Sequence, residues 1–343
     1  MRMEYRRLGR TGLKVSEICL GTMTFGHGTD EGEAARIVDM AIGAGVNFFD
    51  TANSYADSAS ETILGQVLKG RRRDAIVATK FFNPMGPDVN SSGTSRFHMM
   101  HTVEDSLRRL QMDYIDILYI HHVDTQTPLD ETLRALDDLV RQGKVRYTAC
   151  SNFEAWRLME AMWLSDHNGW ERFAAYQPQY SLVVRDIEQE IVPVCELKGI
   201  GVVVWSPLGG GFLTGKYRPG ERSHSGTRSE EGWAFPQNYF AANADETLTT
   251  LLDVAADLDR TPAQVATRWV LEQPAITSAI VGARTAEQAQ DNLQAGGWVM
   301  PAAALNRLND VSHLPDRYPK SMEHNMHERR DAAVRMPSMN GQT

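Results

Sequence analysis

The chain has 343 residues, of which 42% are hydrophobic, and this size suits one large domain or two ordinary ones with a packed core. Its formal charge of -9 argues against the basic surface with which proteins bind nucleic acid or an anionic membrane. The N-terminus MRMEYRRLGR lacks the apolar segment of a secretion signal, and no apolar run reaches the roughly 20 residues of a membrane-spanning helix. We therefore expect a cytoplasmic protein with neither nucleic acid nor membrane as a partner.

Short apolar runs alternate with amphipathic segments along most of the chain. A hairpin around the turn GRTGLK is predicted to lead into a first core strand that ends at Gly21. Further core strands are predicted at 46–49, 75–79, 114–120, 145–150, 173–177, 200–205 and 277–281. Helices are predicted at 30–45, 60–68, 98–110, 130–142, 153–164, 186–199, 245–258 and 262–271, and from 285 onward. Four of these helices begin with pairs typical of capping boxes, namely Asp30 with Glu33, Asp186 with Gln189, Thr261 with Gln264 and Thr285 with Gln288.

Eight strand and helix units in a chain of this length predict an α/β fold, a (β/α)8 TIM barrel with an N-terminal β-hairpin and long loops at its C-terminal face. The alternative is a doubly wound sheet. It is less consistent with the sequence because no G-x-G-x-x-G follows the first strand. We predict one barrel domain over residues 1–315 and a C-terminal tail over 316–343 that lies on or near it.

Charged side chains follow three of the predicted strands, at the ends where the chemistry of such barrels gathers. These are Asp50, Lys80 and His121, and Tyr55 lies in the loop just beyond Asp50. A tyrosine hydroxyl has an ordinary pKa of about 10, and a neighbouring Lys80 would lower it while Asp50 keeps that lysine charged. With His121 to orient a carbonyl oxygen, the set predicts reduction of a carbonyl. Taken singly, each residue is better explained by a structural role, for example Asp50 and Lys80 as an ion pair.

Several ordered segments resemble the aldo-keto reductase superfamily, in the branch that holds aryl-alcohol dehydrogenases and potassium-channel beta subunits. They are LGRTGLKVSEICLGTMTFG, FFDTANSY, ATKF, DYIDILYIHHVD, SNF, QPQYSL, WSPLGGGFLTGKY and VGARTAEQAQDNL. The resemblance implies a barrel that binds NADPH or NADP+ without a Rossmann fold. It also implies a catalytic tetrad of Asp50, Tyr55, Lys80 and His121, with Tyr55 as the general acid and His122 at a variable position.

The same resemblance assigns the residues that bind the cofactor. Under the nicotinamide it places Gly21, Thr22 and Met23, on its carboxamide Ser151, Asn152 and Gln177, and against its ring Trp205. It also counts Asp50 among the cofactor-binding residues. Around the pyrophosphate it places Ser206, Pro207, Leu208, Gly210 and Lys216, where backbone amides and one cation suit a diphosphate. Around the adenosine 2'-phosphate and the adenine it places Arg284, Gln288, Asp291 and Asn292, and it adds Gly282 to the cofactor-binding residues. An arginine in that last group favours NADPH over NADH.

Some features depart from the family pattern or suggest other activities. The loop after Tyr55 reads ADSASE instead of a glycine-rich YGxGxSE, which leaves its shape open. The segment GGFLTGKY has Tyr217 where a phosphate-binding P-loop needs Ser or Thr, so we reject a nucleoside triphosphatase. His324 and His327 lack a third clear ligand, and we predict no metal site.

The expected substrate is a small-molecule aldehyde, ketone or alcohol. The loops at 82–97 and 223–242 and the tail would select it, and aromatic residues such as Phe25, Phe82, Trp233, Phe235 and Tyr239 could line its pocket. The length of the second loop suggests a bulky ketone, such as a secondary metabolite. Two alternatives remain open: an NADP+-linked alcohol dehydrogenase, and an NADPH-binding regulatory subunit with slow turnover. The oligomeric state is open as well.

Overall fold

The structure is a computed structural model that describes residues 2–221, 240–323 and 326. Its strands are β1 (Tyr5–Arg7), β2 (Lys14–Ser16), β3 (Ile18–Gly21), β4 (Phe48–Asp50), β5 (Ile76–Phe81), β6 (Ile115–Ile120), β7 (Val145–Ser151), β8 (Phe173–Gln177), β9 (Gly201–Val204) and β10 (Ile276–Gly282). Its α-helices are α1 (Glu31–Gly43), α2 (Ala59–Val67), α3 (Arg96–Leu110), α4 (Leu129–Arg141), α5 (Ala155–Asn168), α6 (Ile191–Lys198), α7 (Ala244–Asp257), α8 (Pro262–Glu272), α9 (Ala286–Leu293) and α10 (Ala302–Val311).

Within the described residues, the strands from β3 to β10 are parallel and form a closed barrel. The predicted (β/α)8 barrel is therefore confirmed, including the hairpin of β1 and β2 that precedes it. Three of the predicted caps form as expected, because the side chains of Asp30, Thr261 and Thr285 each accept a hydrogen bond from the backbone N–H three residues later.

Side chains of the barrel strands alternate between two buried layers, as the period of two along a strand requires. One layer fills the barrel interior and includes Cys19, Phe48, Ala78, Ile117, Tyr119, Ala149, Ala175 and Val203. The other faces the helices and includes Leu20, Phe49, Val77, Leu118, Cys150, Tyr176 and Val204. Both layers are apolar, so the sequence of each strand is a continuous hydrophobic run. Whether a residue stands at an odd or an even position along its strand decides which layer its side chain joins.

The N-terminal hairpin closes the end of the barrel where the strands begin. Leu8 and Val15 are fully buried and join the interior layer. Beside them, the fully buried carboxylate of Glu17 accepts hydrogen bonds from Arg268 at 3.0 Å, Arg6 at 3.2 Å and the N–H of Gly297 at 2.7 Å. Glu17 therefore joins the hairpin to α8 and to the chain that leaves α9. Removing one partner of such a buried pair typically costs about 3–5 kcal/mol.

Two helices differ from the prediction. Asp186 does not cap a long helix. Residues Asp186–Glu188 form a separate 3-10 turn, in which Glu188 accepts hydrogen bonds from Arg185 and from the hydroxyl of Tyr180, and α6 starts only at Ile191. Helix α10 was not predicted. It is held by bonds to its C-terminal end, where Asn309 accepts from the indole of Trp269 and from Arg185.

Part of the predicted substrate region falls outside the described residues, namely 222–239 with Trp233, Phe235 and Tyr239, and so do His324 and His327. Phe25 is described, and it is fully buried in the layer between strands and helices. Over residues 2–221 and 240–323, no helix combines the length and hydrophobicity needed to cross a membrane.

Helices α2 and α3 pack closely at Gly65, and this contact gives a prediction about stability. A Cβ at Gly65 would lie 2.3 Å from the backbone oxygen of Leu110, whereas a Cβ at Gly43 in α1 would meet nothing within 4 Å. Alanine is favoured over glycine in a helix, so we expect Gly43→Ala to raise the free energy of unfolding by about 0.5–1 kcal/mol. Gly65→Ala should lower it by about 1–3 kcal/mol, because backbone atoms have to move.

Urea unfolding of the two variants, followed by circular dichroism, shows whether the two substitutions change the free energy of unfolding in opposite directions. A Gly65→Ala variant as stable as Gly43→Ala would show that α2 and α3 do not pack as described.

Candidate active site

The parity of the barrel strands brings the predicted catalytic residues to one mouth. Three of them, and three of the residues assigned to the cofactor, lie two residues after a side chain of the interior layer and therefore point toward the barrel axis, whereas Tyr55 lies in the loop beyond Asp50. The pairs are Phe48 and Asp50, Ala78 and Lys80, Tyr119 and His121, Ala149 and Ser151, Ala175 and Gln177, and Val203 and Trp205. Six consecutive strands thus contribute a functional group at their carboxyl ends.

A buried ion pair lies at the centre of this mouth. The ammonium Nζ of Lys80 donates to Oδ1 of Asp50 at 2.5 Å and to the backbone oxygen of Thr51 at 2.8 Å. It also donates to the hydroxyl of Tyr55 at 3.1 Å. Burial acts to lower the pKa of Lys80, but the Asp50 carboxylate and the Tyr55 hydroxyl act against it, and the net result is a raised pKa. Lys80 is therefore a cation that touches the tyrosine oxygen.

His121 stands beside the phenol and is uncharged. Burial, followed by the positive charge of Lys80 and the neighbouring His122, lowers the pKa of His121 to about 2. Its ring lies edge-on to that of Tyr55, with centroids 5.9 Å apart. Its Nδ1 is buried and has no hydrogen-bond partner among the described residues. A neutral imidazole next to the hydroxyl can hydrogen-bond a polar atom of a ligand without carrying a charge.

An aromatic row continues from His121 toward the outside. His122 stacks on His121 with ring centroids 4.6 Å apart and planes 10° apart, and Phe82 lies edge-on to His122 at 5.4 Å. Burial, and then Lys80, lowers the pKa of His122 as well. The row gives this side of the mouth an aromatic wall without a cation.

A network of buried hydroxyl groups lies next to the backbone of Asp50, and the sequence did not predict it. The buried hydroxyl of Ser60, at the start of α2, lies 2.8 Å from the hydroxyls of both Thr22 and Thr51. Thr22 in turn donates through its N–H to the backbone oxygen of Asp50 at 2.9 Å. The signal available was the Ser and Thr residues that follow Asp50, namely Thr51, Ser54, Ser58 and Ser60, which look like ordinary turn residues in a sequence.

The trio assigned to the carboxamide lies side by side at the ends of β7 and β8. Ser151 donates to the backbone oxygen of Gln177 at 2.7 Å, and Asn152 donates to the backbone oxygen of His121 at 3.0 Å. Gln177 donates through Nε2 to Oδ2 of Asp50 at 2.8 Å. Gln177 therefore completes the hydrogen bonding of Asp50, a contact that the sequence did not indicate.

The segment after β9 begins with the half-buried Trp205 and turns sharply. Ser206 has a left-handed φ of 58°, and its hydroxyl accepts from the N–H of Gly210 at 2.9 Å. Pro207 is buried, Leu208 is half-buried and Lys216 is exposed. Gly21, Thr22 and Met23 lie on the other side of the mouth, at the end of β3.

The residues after β10 form a rim at the start of α9. Asn292 donates to the backbone oxygen of Gly282 at 3.0 Å, and Gln288 accepts from the N–H of Arg284 at 2.9 Å. Asp291 instead faces α8, where it accepts from Gln264 at 2.7 Å and from the hydroxyl of Thr261. The structure therefore groups four of these five residues at the rim and gives Asp291 a helix-joining contact.

Chemically, the mouth combines a phenol hydroxyl, a buried ammonium at 3.1 Å from it and a neutral imidazole. Residues 17–313 of the chain match the Aldo/keto reductase family. The uncharacterized oxidoreductase YrpG of Bacillus subtilis is 39% identical over 321 residues, which cover 90% of this chain and 96% of that protein.

Two further relatives extend over most of the chain. A probable voltage-gated potassium channel subunit beta of Arabidopsis thaliana is 36% identical over 332 residues, covering 94% of this chain and 99% of that protein. Aldo-keto reductase AMT2 of Alternaria alternata is 31% identical over 341 residues, covering 90% and 91%. The family match and these identities agree with the closed barrel, and the chain belongs to the aldo/keto reductase family of oxidoreductases.

Proposed function

We propose that this protein is an NADPH-dependent carbonyl reductase in which Tyr55 protonates the oxygen of an aldehyde or ketone. The observation that carries the proposal is the 3.1 Å contact between the Tyr55 hydroxyl and the buried Lys80 ammonium. When the phenol gives up its proton, a phenolate forms next to a fixed and buried positive charge. Such a preorganised charge stabilises the product of proton transfer far more than a solvated one would.

His121 has a different part in the same step. Its lowered pKa keeps the ring neutral, so it does not compete with Tyr55 as an acid. We propose that it donates a hydrogen bond to the carbonyl oxygen and directs that oxygen toward the phenol. The orientation matters because proton transfer needs a donor and acceptor within ordinary hydrogen-bond distance.

The chain offers groups that fit a pyridine dinucleotide phosphate. The side chains of Asn152 and Gln177 match an amide, and the half-buried indole of Trp205 offers a face for a planar ring. Lys216 and Arg284 are cations of the kind that bind phosphates. When bound, the reduced nicotinamide would supply the hydride. The aromatic row of His121, His122 and Phe82 would face the substrate, and a neutral, bulky ketone agrees with its lack of charge.

The potassium-channel relatives raise a second candidate, a regulatory subunit that binds NADPH and turns over slowly. It is favoured by 36% identity over 94% of this chain. Multiple-turnover kinetics with excess NADPH separate the two, since a regulatory subunit should stall after one cycle. An alcohol dehydrogenase working with NADP+ would use the same residues in reverse, and comparing rates in both directions identifies it.

The role of Tyr55 is tested by Tyr55→Phe, which removes only the hydroxyl. We expect kcat for aldehyde or ketone reduction, followed by NADPH absorbance, to fall by about 10²- to 10⁴-fold while NADPH still binds. Tyr5→Phe removes a hydroxyl that bonds Gly45 near the opposite end of the barrel, and it should leave kcat unchanged. Undiminished turnover in Tyr55→Phe would place the acid elsewhere.

The neutral state of His121 predicts how stability depends on pH. Between about pH 2 and 6.5 the unfolded chain binds a proton at His121 that the folded chain does not bind. Stability from this group is therefore complete above about pH 6.5 and decreases as the pH falls. We expect His121→Asn to flatten the dependence of the unfolding free energy between about pH 5 and 6.5, by up to about 1.4 kcal/mol per pH unit.

Urea titrations across that pH range measure the slope. The control is His313→Asn, which removes an exposed histidine after α10 and shows what the loss of one imidazole outside the mouth does by itself. An unchanged slope in His121→Asn would mean that the folded protein protonates this ring as readily as the unfolded chain does.

A further inference from the structure

The three residues that follow Tyr55 have an unusual backbone. Ala56, Asp57 and Ser58 have φ angles of 49°, 51° and 75°, all in the left-handed region. Residues with a Cβ disfavour this region, and they occupy it singly far more often than in succession. None of the three is glycine, so the strain of this turn is not relieved by the residue type.

Contacts on both sides hold the turn in place. The hydroxyl of Ser58 donates to the backbone oxygen of Asn53 at 2.8 Å, and the N–H of Ala59 donates to the backbone oxygen of Ala56 at 3.0 Å. Gly26 lies so close that a Cβ there would be 2.6 Å from the Cβ of Ala59 and 3.4 Å from that of Ala56. The next residue, Ser60, is anchored in the hydroxyl network behind Asp50.

The strained turn also limits where the phenol can go. For residues with a Cβ the left-handed region is small, whereas glycine can occupy a wide range of φ and ψ. Three such residues in succession leave the chain one narrow path between Tyr55 and α2. A hydroxyl that must stay at 3.1 Å from Lys80 benefits from such a path, because small displacements of a reacting group reduce its rate.

We propose that Ala56, Asp57 and Ser58 are positioning residues for Tyr55, whose non-glycine left-handed turn holds the phenol against Lys80 and the substrate oxygen. The inference rests on the proposed function, in which Tyr55 is the proton donor. It predicts that relieving the strain stabilises the fold and slows the reaction, two effects that a merely structural turn would not combine.

The test is Ala56→Gly, with Gln111→Gly as a matched control. Gln111 has a φ of 55° where α3 ends, near the opposite end of the barrel, so its replacement relieves similar strain away from the site. We expect both variants to raise Tm by about 1–3 °C. Only Ala56→Gly should lower kcat, by about 3- to 30-fold, with KM for NADPH unchanged.

A rescue variant separates backbone freedom from the loss of a methyl group. Asparagine enters the left-handed region more readily than alanine and keeps a Cβ, without the wide freedom of glycine. We therefore expect Ala56→Asn to raise Tm while its kcat stays within about twofold of the unmodified protein.

Three results would overturn the inference. If Ala56→Gly reduces substrate at the rate of the unmodified protein, the turn does not position the acid. If Ala56→Gly fails to raise Tm while Gln111→Gly does, the turn is not strained. If the unmodified protein does not turn over any carbonyl substrate, the proposed function fails, and the positioning role fails with it.

Discussion

The ion pair between Asp50 and Lys80 is the interaction on which the rest of the site depends. Two charges without solvent are stable only if every remaining hydrogen bond is satisfied, and removing one partner of such a pair typically costs about 3–5 kcal/mol. The surroundings meet that requirement. Asp50 also accepts from Gln177, and Lys80 also donates to Thr51 and Tyr55. The hydrogen bond from Lys80 to Tyr55, on which the proposed proton transfer depends, is thus one of the bonds that stabilise the buried ammonium.

The barrel explains why this pair forms where it does. Asp50 and Lys80 belong to neighbouring parallel strands, β4 and β5, and both follow interior residues at a spacing of two. Their side chains therefore meet on the axis, above the apolar layer that fills the interior. That layer supplies the low dielectric that strengthens the pair and also lowers the pKa of His121. The same alternation of side chains therefore produces both the apolar layer of the barrel interior and the charged pair at the end of that layer.

Most of the fold was predictable because periodicity and caps act locally. The strands, eight of the helices to within a few residues and three caps follow from such patterns. The 3-10 turn at Asp186–Glu188 was not predictable from local patterns. It depends on hydrogen bonds that Arg185 donates to the C-terminal end of α10, more than a hundred residues later. The same limit applies to the site. Asp50, Lys80 and His121 could be predicted from strand ends and Tyr55 from the loop that follows one of them, whereas the bond from Gln177 to Asp50 spans the barrel and has no local signature.

The loop after Tyr55 shows how far residue types can mislead about backbone shape. The residue types Ala, Asp and Ser do not predict a left-handed turn, yet Ala56, Asp57 and Ser58 all have left-handed φ angles. The reason lies outside the loop. Tyr55 is bound to Lys80 on one side, and Ser60 is bound to Thr22 and Thr51 on the other, so the residues between them must cross a fixed gap. The conformation of the intervening chain is then decided by its two anchors, and the buried ion pair determines the position of the first.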